Sequence, residues 1–189
     1  MATSAVAPRR LLCVAPLAPA GGVDTLLTAF GMLADDHPEL SAEVVGTGPL
    51  ARVLRSHADY LGLAERVGFR GRLAPPAVRS AVRDCAVLVL PHRHGTAAVP
   101  AAGTAVLEAL EAACPVVATP LAPYLDLLDA GTVVPPDDPT AMAQALVSVL
   151  TGTRARAAGA GPGAAGPGGA SRPEADGHLL RRAWLRVLG

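Results

Sequence analysis

The sequence predicts a doubly wound α/β domain, in which a parallel Rossmann-like sheet is covered by helices on both faces. Three observations carry this. Short apolar runs recur at 11–15, 42–45 (broken only by Glu43), 86–90 and 116–118, without the sustained alternation a half-wet sheet would show. Segments with helical spacing lie between them, as with Leu26, Leu27, Phe30 and Leu33. Gly- and Pro-rich breakers punctuate the junctions, so strand and helix alternate as βαβ units require.

Taken in order, residues 11–15 form a buried strand, PLAPAGG a turn, and 23–33 a helix. A second strand at 42–45 runs into the tight turn Gly46-Thr47-Gly48-Pro49, and a helix over about 50–61 stops at Gly62. Residues 67–70 make a third strand. Pro75 and Pro76 open a helix to Asp84, since proline's fixed φ suits a first turn, and 86–90 is the fourth strand. A loop, a helix opening near Gly103 and ended by Pro115, and a strand at 116–118 follow. A helix at 124–128, a strand at 132–134 and a helix from Pro139 to about Leu150 complete a domain over 9–151. Residues 152–173 are Gly, Ala and Pro with Arg, a linker unable to build a core, and 174–189 form a short amphipathic helix bearing Trp184.

With 51% hydrophobic but only 3% aromatic residues, the core must be filled by Ala, Val and Leu and held by area burial. A formal net charge of 0 removes any general electrostatic case for nucleic acid or membrane surfaces. No apolar run reaches the length of about 18 residues that an integral membrane helix needs. All sixteen basic residues are Arg, and Lys, Ile and Asn are absent, a bias expected of a GC-rich bacterium. Three cysteines beside apolar runs read as buried thiols in a reducing cytoplasm. Arg9-Arg10 before an apolar stretch imitates a secretion signal, but Pro16 interrupts that stretch, so a cytoplasmic protein is expected.

A helix opening above the carboxyl ends of the strands points unpaired N–H groups at a ligand, and Glu108 further along it can accept hydroxyl hydrogens. His92-Arg93-His94 follows the fourth strand at the edge where such sheets bind ligands, yet no third metal ligand is evident. Neither a metal nor another cofactor is expected. Gly46-Thr47-Gly48-Pro49-Leu50-Ala51 imitates a dinucleotide fingerprint, but it follows the second strand and no acid lies about 20 residues on. Hydrolase chemistry has no nucleophile elbow to support it.

Residues 100–119, PAAGTAVLEALEAACPVVAT, resemble the E-G-F-G-x-x-x-L-E-A-x-A-x-G-x-P-V-V-A-T stretch of the group 1 (family 4) retaining glycosyltransferases, in their donor-binding half. Gly103, Leu107, Glu108, Ala109 and residues 115–119 fit, while Ala113 stands where that family has glycine. AEVVGTGPL, LGLAERVGFRGRL, AVLVLP and GTVVPPDDPTAMAQAL resemble further family landmarks in the same order. The resemblance implies one half-domain of the two-domain GT-B fold, with an N-terminal acceptor-binding domain or partner subunit supplying the rest. It implies sugar transfer with retention from a nucleotide diphosphate sugar. Glu108 would take the ribose hydroxyls, Gly103 and Thr104 the nucleotide at the helix opening, and Arg72 and Leu73 the base.

The family's two diphosphate cations fall on Pro16 and Gly21, and its sugar-binding Glu falls on Pro100. Gly21 and Gly22 remain a candidate phosphate loop through their backbone, with Arg93 as a replacement cation. No catalytic residue is assigned. A degenerate transferase that binds its nucleotide diphosphate sugar weakly and a non-catalytic scaffolding domain are the two alternatives. In either, apolar surface around Leu17, Val99 and Val133 would face the missing partner.

Overall fold

The computed structural model describes residues 9–93, 100–120 and 133–158. Strands β1 (Arg9–Val14), β2 (Leu40–Val45), β3 (Val67–Gly71), β4 (Val87–Leu90) and β5 (Val116–Ala118) form one sheet in the order β3-β2-β1-β4-β5, parallel throughout. Helices α1 (Val23–Leu33), α2 (Ala51–Tyr60), α3 (Pro75–Asp84), α4 (Pro100–Glu111) and α5 (Pro139–Ala158) connect or follow them, with a 3-10 turn over Pro19–Gly21.

Successive strand side chains point to opposite faces, and both faces are buried here. Leu11, Cys13, Val87 and Val89 pack in one core with residues of α1 and α5, among them Phe30, Met142 and Leu146. Leu12, Val14, Leu88 and Leu90 pack in the other with Val78 and Val82 of α3 and Val106 of α4. This is why β4, β5 and the second half of β1 read as unbroken apolar runs, while β2 and the edge strand β3 carry Glu43 and Arg70; the arrangement is the doubly wound one that the sequence predicts. Leu17 joins the first core at 2% exposure, so it is not part of an open cleft surface; Val133 is partly exposed, and Val99 lies outside the described residues.

Several boundaries differ from expectation. Helix α4 begins at Pro100, and Gly103 lies buried within its first turn; proline's preset φ starts the helix earlier than glycine's freedom suggested. Ala113 adopts φ 52 after α4, the left-handed conformation that explains glycine in the related sequences. Of the strand expected at 132–134, Val133 forms a single parallel bridge to Ala118. Helix α5 continues past Leu150 to Ala158, into the stretch expected as linker. The chain divides into units 1–153 and 154–189. The helices expected at 124–128 and 174–189 lie outside the described residues.

The landmark LGLAERVGFRGRL has a structural basis in Arg66. Its guanidinium donates to the carbonyls of Ala34 at 2.6 Å, His37 at 2.5 Å and Leu40 at 2.8 Å, and lies 5.1 Å from the Phe30 ring centroid. These are carbonyls at and beyond the C-terminus of α1, where intrahelical partners run out. One side chain thereby closes α1 and fixes the entry to β2. Arg66→Ala should lower unfolding free energy by about 2–4 kcal/mol, by leaving carbonyls unpaired. Arg66→Lys should recover less than half of that loss, because an ammonium cannot reproduce the planar fork. Chemical denaturation of the three proteins measures both differences.

Candidate functional site

All five strands end at one edge, and the order reverses at β1, leaving there the crevice where sheets of this kind take ligands. A cavity of about 550 Å³ opens at this edge. The segments leaving β1 (Pro16), β2 (Thr47) and β3 (Arg72 and Leu73) line it, together with Val78 of α3 and Thr104 of α4. Three residues expected to touch a nucleotide, Arg72, Leu73 and Thr104, thus share one largely apolar space. Arg72 is exposed and has no ion-pair partner among the described residues. Gly103 lies outside the lining.

Glu108 sits one helical turn after Thr104, on the same face of α4. It is 9% exposed, and its carboxylate meets Arg79 Nε of α3 at 2.8 Å. That pairing makes a deeply placed carboxylate tolerable. It also means that any hydroxyl ligand approaching Glu108 would compete with Arg79.

The glycine turns at this edge exist for close backbone approach. A Cβ on Gly46 would fall 1.9 Å from the Ala15 carbonyl oxygen and one on Gly48 2.2 Å from that of Leu17, so this turn lies hard against the exit of β1. The same holds for the candidate phosphate loop. A Cβ on Gly21 would fall 1.9 Å from the Pro16 oxygen and one on Gly22 1.8 Å from that of Pro91, and Gly22 has φ 63. The Gly21 N–H already donates to the Ala18 carbonyl at 2.9 Å.

Arg93, the expected replacement cation, is held at this corner by four contacts. Its backbone N–H donates to Ala20, Nη1 to the Pro19 carbonyl at 2.5 Å, Nη2 to Asp24 Oδ2 at 2.7 Å, and Nε to Asp137. Asp24 lies in the first turn of α1, with its carboxylate beside the N–H groups of that turn. Burial pushes the Asp24 carboxyl up, but the Arg93 bond and charge, with those N–H groups, outweigh it and hold it below its ordinary value. The Asp24 hydrogen bond, aided by Asp137, raises Arg93 against the opposing effect of burial. A helix N-terminus that could greet an anion is therefore already occupied by a carboxylate. Among the described residues, two acids face one base here, a formal charge of about −1 where a diphosphate would need positive charge.

His92 precedes this arginine, at 1% exposure, and neither ring nitrogen has a hydrogen-bond partner among the described residues. Burial pushes its pKa down to about 4. No cluster of three metal-ligating side chains occurs among the described residues; His94 lies outside them.

Residues 8–152 match the family model described as glycosyl transferases, group 1. The chain belongs to the group 1 glycosyltransferases. It is 32% identical over 142 residues to the phosphatidyl-myo-inositol mannosyltransferase of Mycolicibacterium smegmatis, a match covering 74% of this chain and 35% of that protein. The chain thus spans about a third of the length of this curated relative. Its fold is similar to the C-terminal domain of the group 1 transferase LpcC from Francisella tularensis, with TM-score 0.68, 19% identity, and coverage of 79% of this chain and 80% of that one. It is also similar to HepE of Anabaena, solved in complex with UDP and glucose, with TM-score 0.64, 21% identity, and coverage of 78% and 40%. The single parallel sheet is that of a GT-B half-domain. Among the described residues, no helix of this glycosyltransferase chain is long and apolar enough to cross a membrane.

The buried histidine gives the fold a defined acid response. Folded protein keeps His92 neutral down to about pH 4, whereas the unfolded chain takes up that proton near the ordinary value of 6.5. Between these limits the unfolded state binds more protons, so stability is full above pH 6.5 and falls as pH is lowered toward 4, by about 3 kcal/mol. His92→Leu should flatten that slope, which denaturant titrations at pH 7.0, 5.5 and 4.5 would reveal.

Proposed function

We propose that this group 1 glycosyltransferase domain binds the nucleoside end of a nucleotide diphosphate sugar and has lost most of the family's hold on diphosphate and sugar. The convergence of Arg72, Leu73 and Thr104 on one cavity, with Glu108 a turn beyond, carries this reading. Leu73 and the apolar lining accept the base, Arg72 reaches its polar edge, and Glu108 takes the ribose hydroxyls once they displace Arg79. Diphosphate contacts would fall to the backbone at Gly22, since Arg93 already serves two carboxylates and the Gly21 N–H donates to Ala18. The complex of HepE with UDP and glucose supports the ligand class.

Retaining transfer would require an N-terminal acceptor-binding domain or a partner subunit to complete the cleft. We place the domain, residues 9–151, in the cytoplasm, a reducing compartment that suits a chain whose three cysteines are free in this structure. Proline at position 100 and the neutralised Arg93 favour a second reading, a non-catalytic domain that keeps the fold for contact with such a partner.

Calorimetric titration separates the two. Nucleoside diphosphates should bind with a dissociation constant on the order of 1 mM (about −4 kcal/mol), and the sugar should add almost nothing. Glu108→Gln should weaken both ligands by about 1–2 kcal/mol through loss of a charged acceptor, with exposed Glu111→Gln as the unaffected control. No binding at about 10 mM would favour the scaffold. Micromolar affinity with preference for one nucleotide sugar would overturn the degenerate reading.

A further inference from the structure

The opposite edge of the sheet brings together two of the three cysteines. Cys85 follows α3 and lies two residues before β4; Cys114 follows α4 and lies two residues before β5. Strands β4 and β5 are parallel neighbours with Leu88 opposite Val116, so both thiols enter the sheet side by side at its amino edge. Their Sγ atoms are 3.4 Å apart, both thiols are free, and both residues are partly exposed. Cys13, by contrast, is fully buried within β1, and burial raises its pKa to about 12.

We propose that Cys85 and Cys114 form a reversible dithiol–disulfide site that reacts with small-molecule disulfides and ties the turn after α3 to the turn after α4. The site stands apart from the nucleotide cavity and does not depend on the function proposed for it. To reach a disulfide length of about 2.05 Å, the sulfurs need close by only about 1.4 Å. Neither lies within a strand, so turn residues and side-chain torsions take up the shift. The pair is also chemically ordered. The two sulfurs share a hydrogen bond in which either can donate, and this contact lowers the Cys114 thiol from its ordinary value and, with burial, raises that of Cys85.

Cys114 is therefore the attacking thiolate. It displaces one thiolate from the small disulfide, forming a mixed disulfide on Cys114, and the leaving thiolate takes a proton from water. Cys85 then gives its proton to solvent and attacks the Cys114 sulfur, expelling the second small thiol. Two protein thiols are oxidised to one disulfide, and one small disulfide is reduced to two thiols.

The test incubates the full chain with oxidised glutathione, quenches with acid, and alkylates under denaturing conditions before mass spectrometry. The expected product has lost two hydrogens, takes up a single alkyl group on Cys13, and yields tryptic peptides 84–93 and 94–154 joined together. Excess dithiothreitol restores three alkylatable thiols. The bridged form should melt roughly 5–10 °C higher, because the crosslink restricts the unfolded chain. In Cys85→Ser, one glutathione should persist on Cys114 with no bridge. Three alkylated cysteines after oxidation, a bridge to Cys13, glutathione adducts on both residues, or disulfide-linked dimers would each overturn the proposal. The wild-type readout does not depend on whether the variant folds.

Discussion

At the carboxyl edge of the sheet, the Arg93 guanidinium joins segments far apart in sequence: the Pro19 carbonyl after β1, Asp24 in the first turn of α1, and Asp137 before α5. A parallel sheet makes such bracing necessary, because β1 and β4 become neighbours only through long crossovers and their exit loops share no local hydrogen bonds. Gly22 completes the brace from the other side, in van der Waals register with the Pro91 carbonyl that a side chain would displace. Charge-assisted bonds of this kind are generally worth about 1.5–3 kcal/mol each, less where, as at Asp137, the partner is largely exposed. The loops of the switch point hold their shape through this corner, and its chemistry follows from the same contacts.

That constraint divides the edge into two halves with different prospects. Around β2, β3 and the start of α4, the cavity stays open and mostly apolar, with Arg72 and Thr104 on its lining. Around β1, α1 and β4, positive charge that the family directs at phosphate is absent from positions 16 and 21, and Arg93 is matched by two acids among the described residues. Glu108 lies between these regimes, intact as an acid yet engaged by Arg79 across the α3–α4 contact. On the function proposed above, a domain built this way would favour the shape of a nucleoside over the charge of a diphosphate.

Much of the fold was legible in the sequence, because continuous apolar runs and breakers report local geometry. Helices α1 and α3 and strand β5 occupy the expected residues, each flanked by a glycine or proline cue. The start of α4 was misplaced because two helix-start signals competed, and proline at 100 prevailed over glycine at 103. Side-chain partners were not legible. Arg79 lies 29 residues before Glu108, Asp137 lies 44 after Arg93, and no periodicity links them. The cysteine pair was within reach: both residues precede a strand by two positions, and a βαβ unit makes those strands neighbours. The sequence suggests three separate buried thiols, but of the three only Cys13 is fully buried.

On the proposed reading, the carboxyl edge recognises a nucleoside while Arg93, Asp24 and Asp137 close its phosphate corner. The most direct measurement compares the affinity of the full chain for a nucleoside with that for its 5′-diphosphate, by calorimetry at fixed ionic strength. The account predicts that the two phosphates improve binding by less than about tenfold (about 1.4 kcal/mol). An improvement of about a hundredfold or more would require Arg93 to leave its carboxylates for the ligand, and would contradict it.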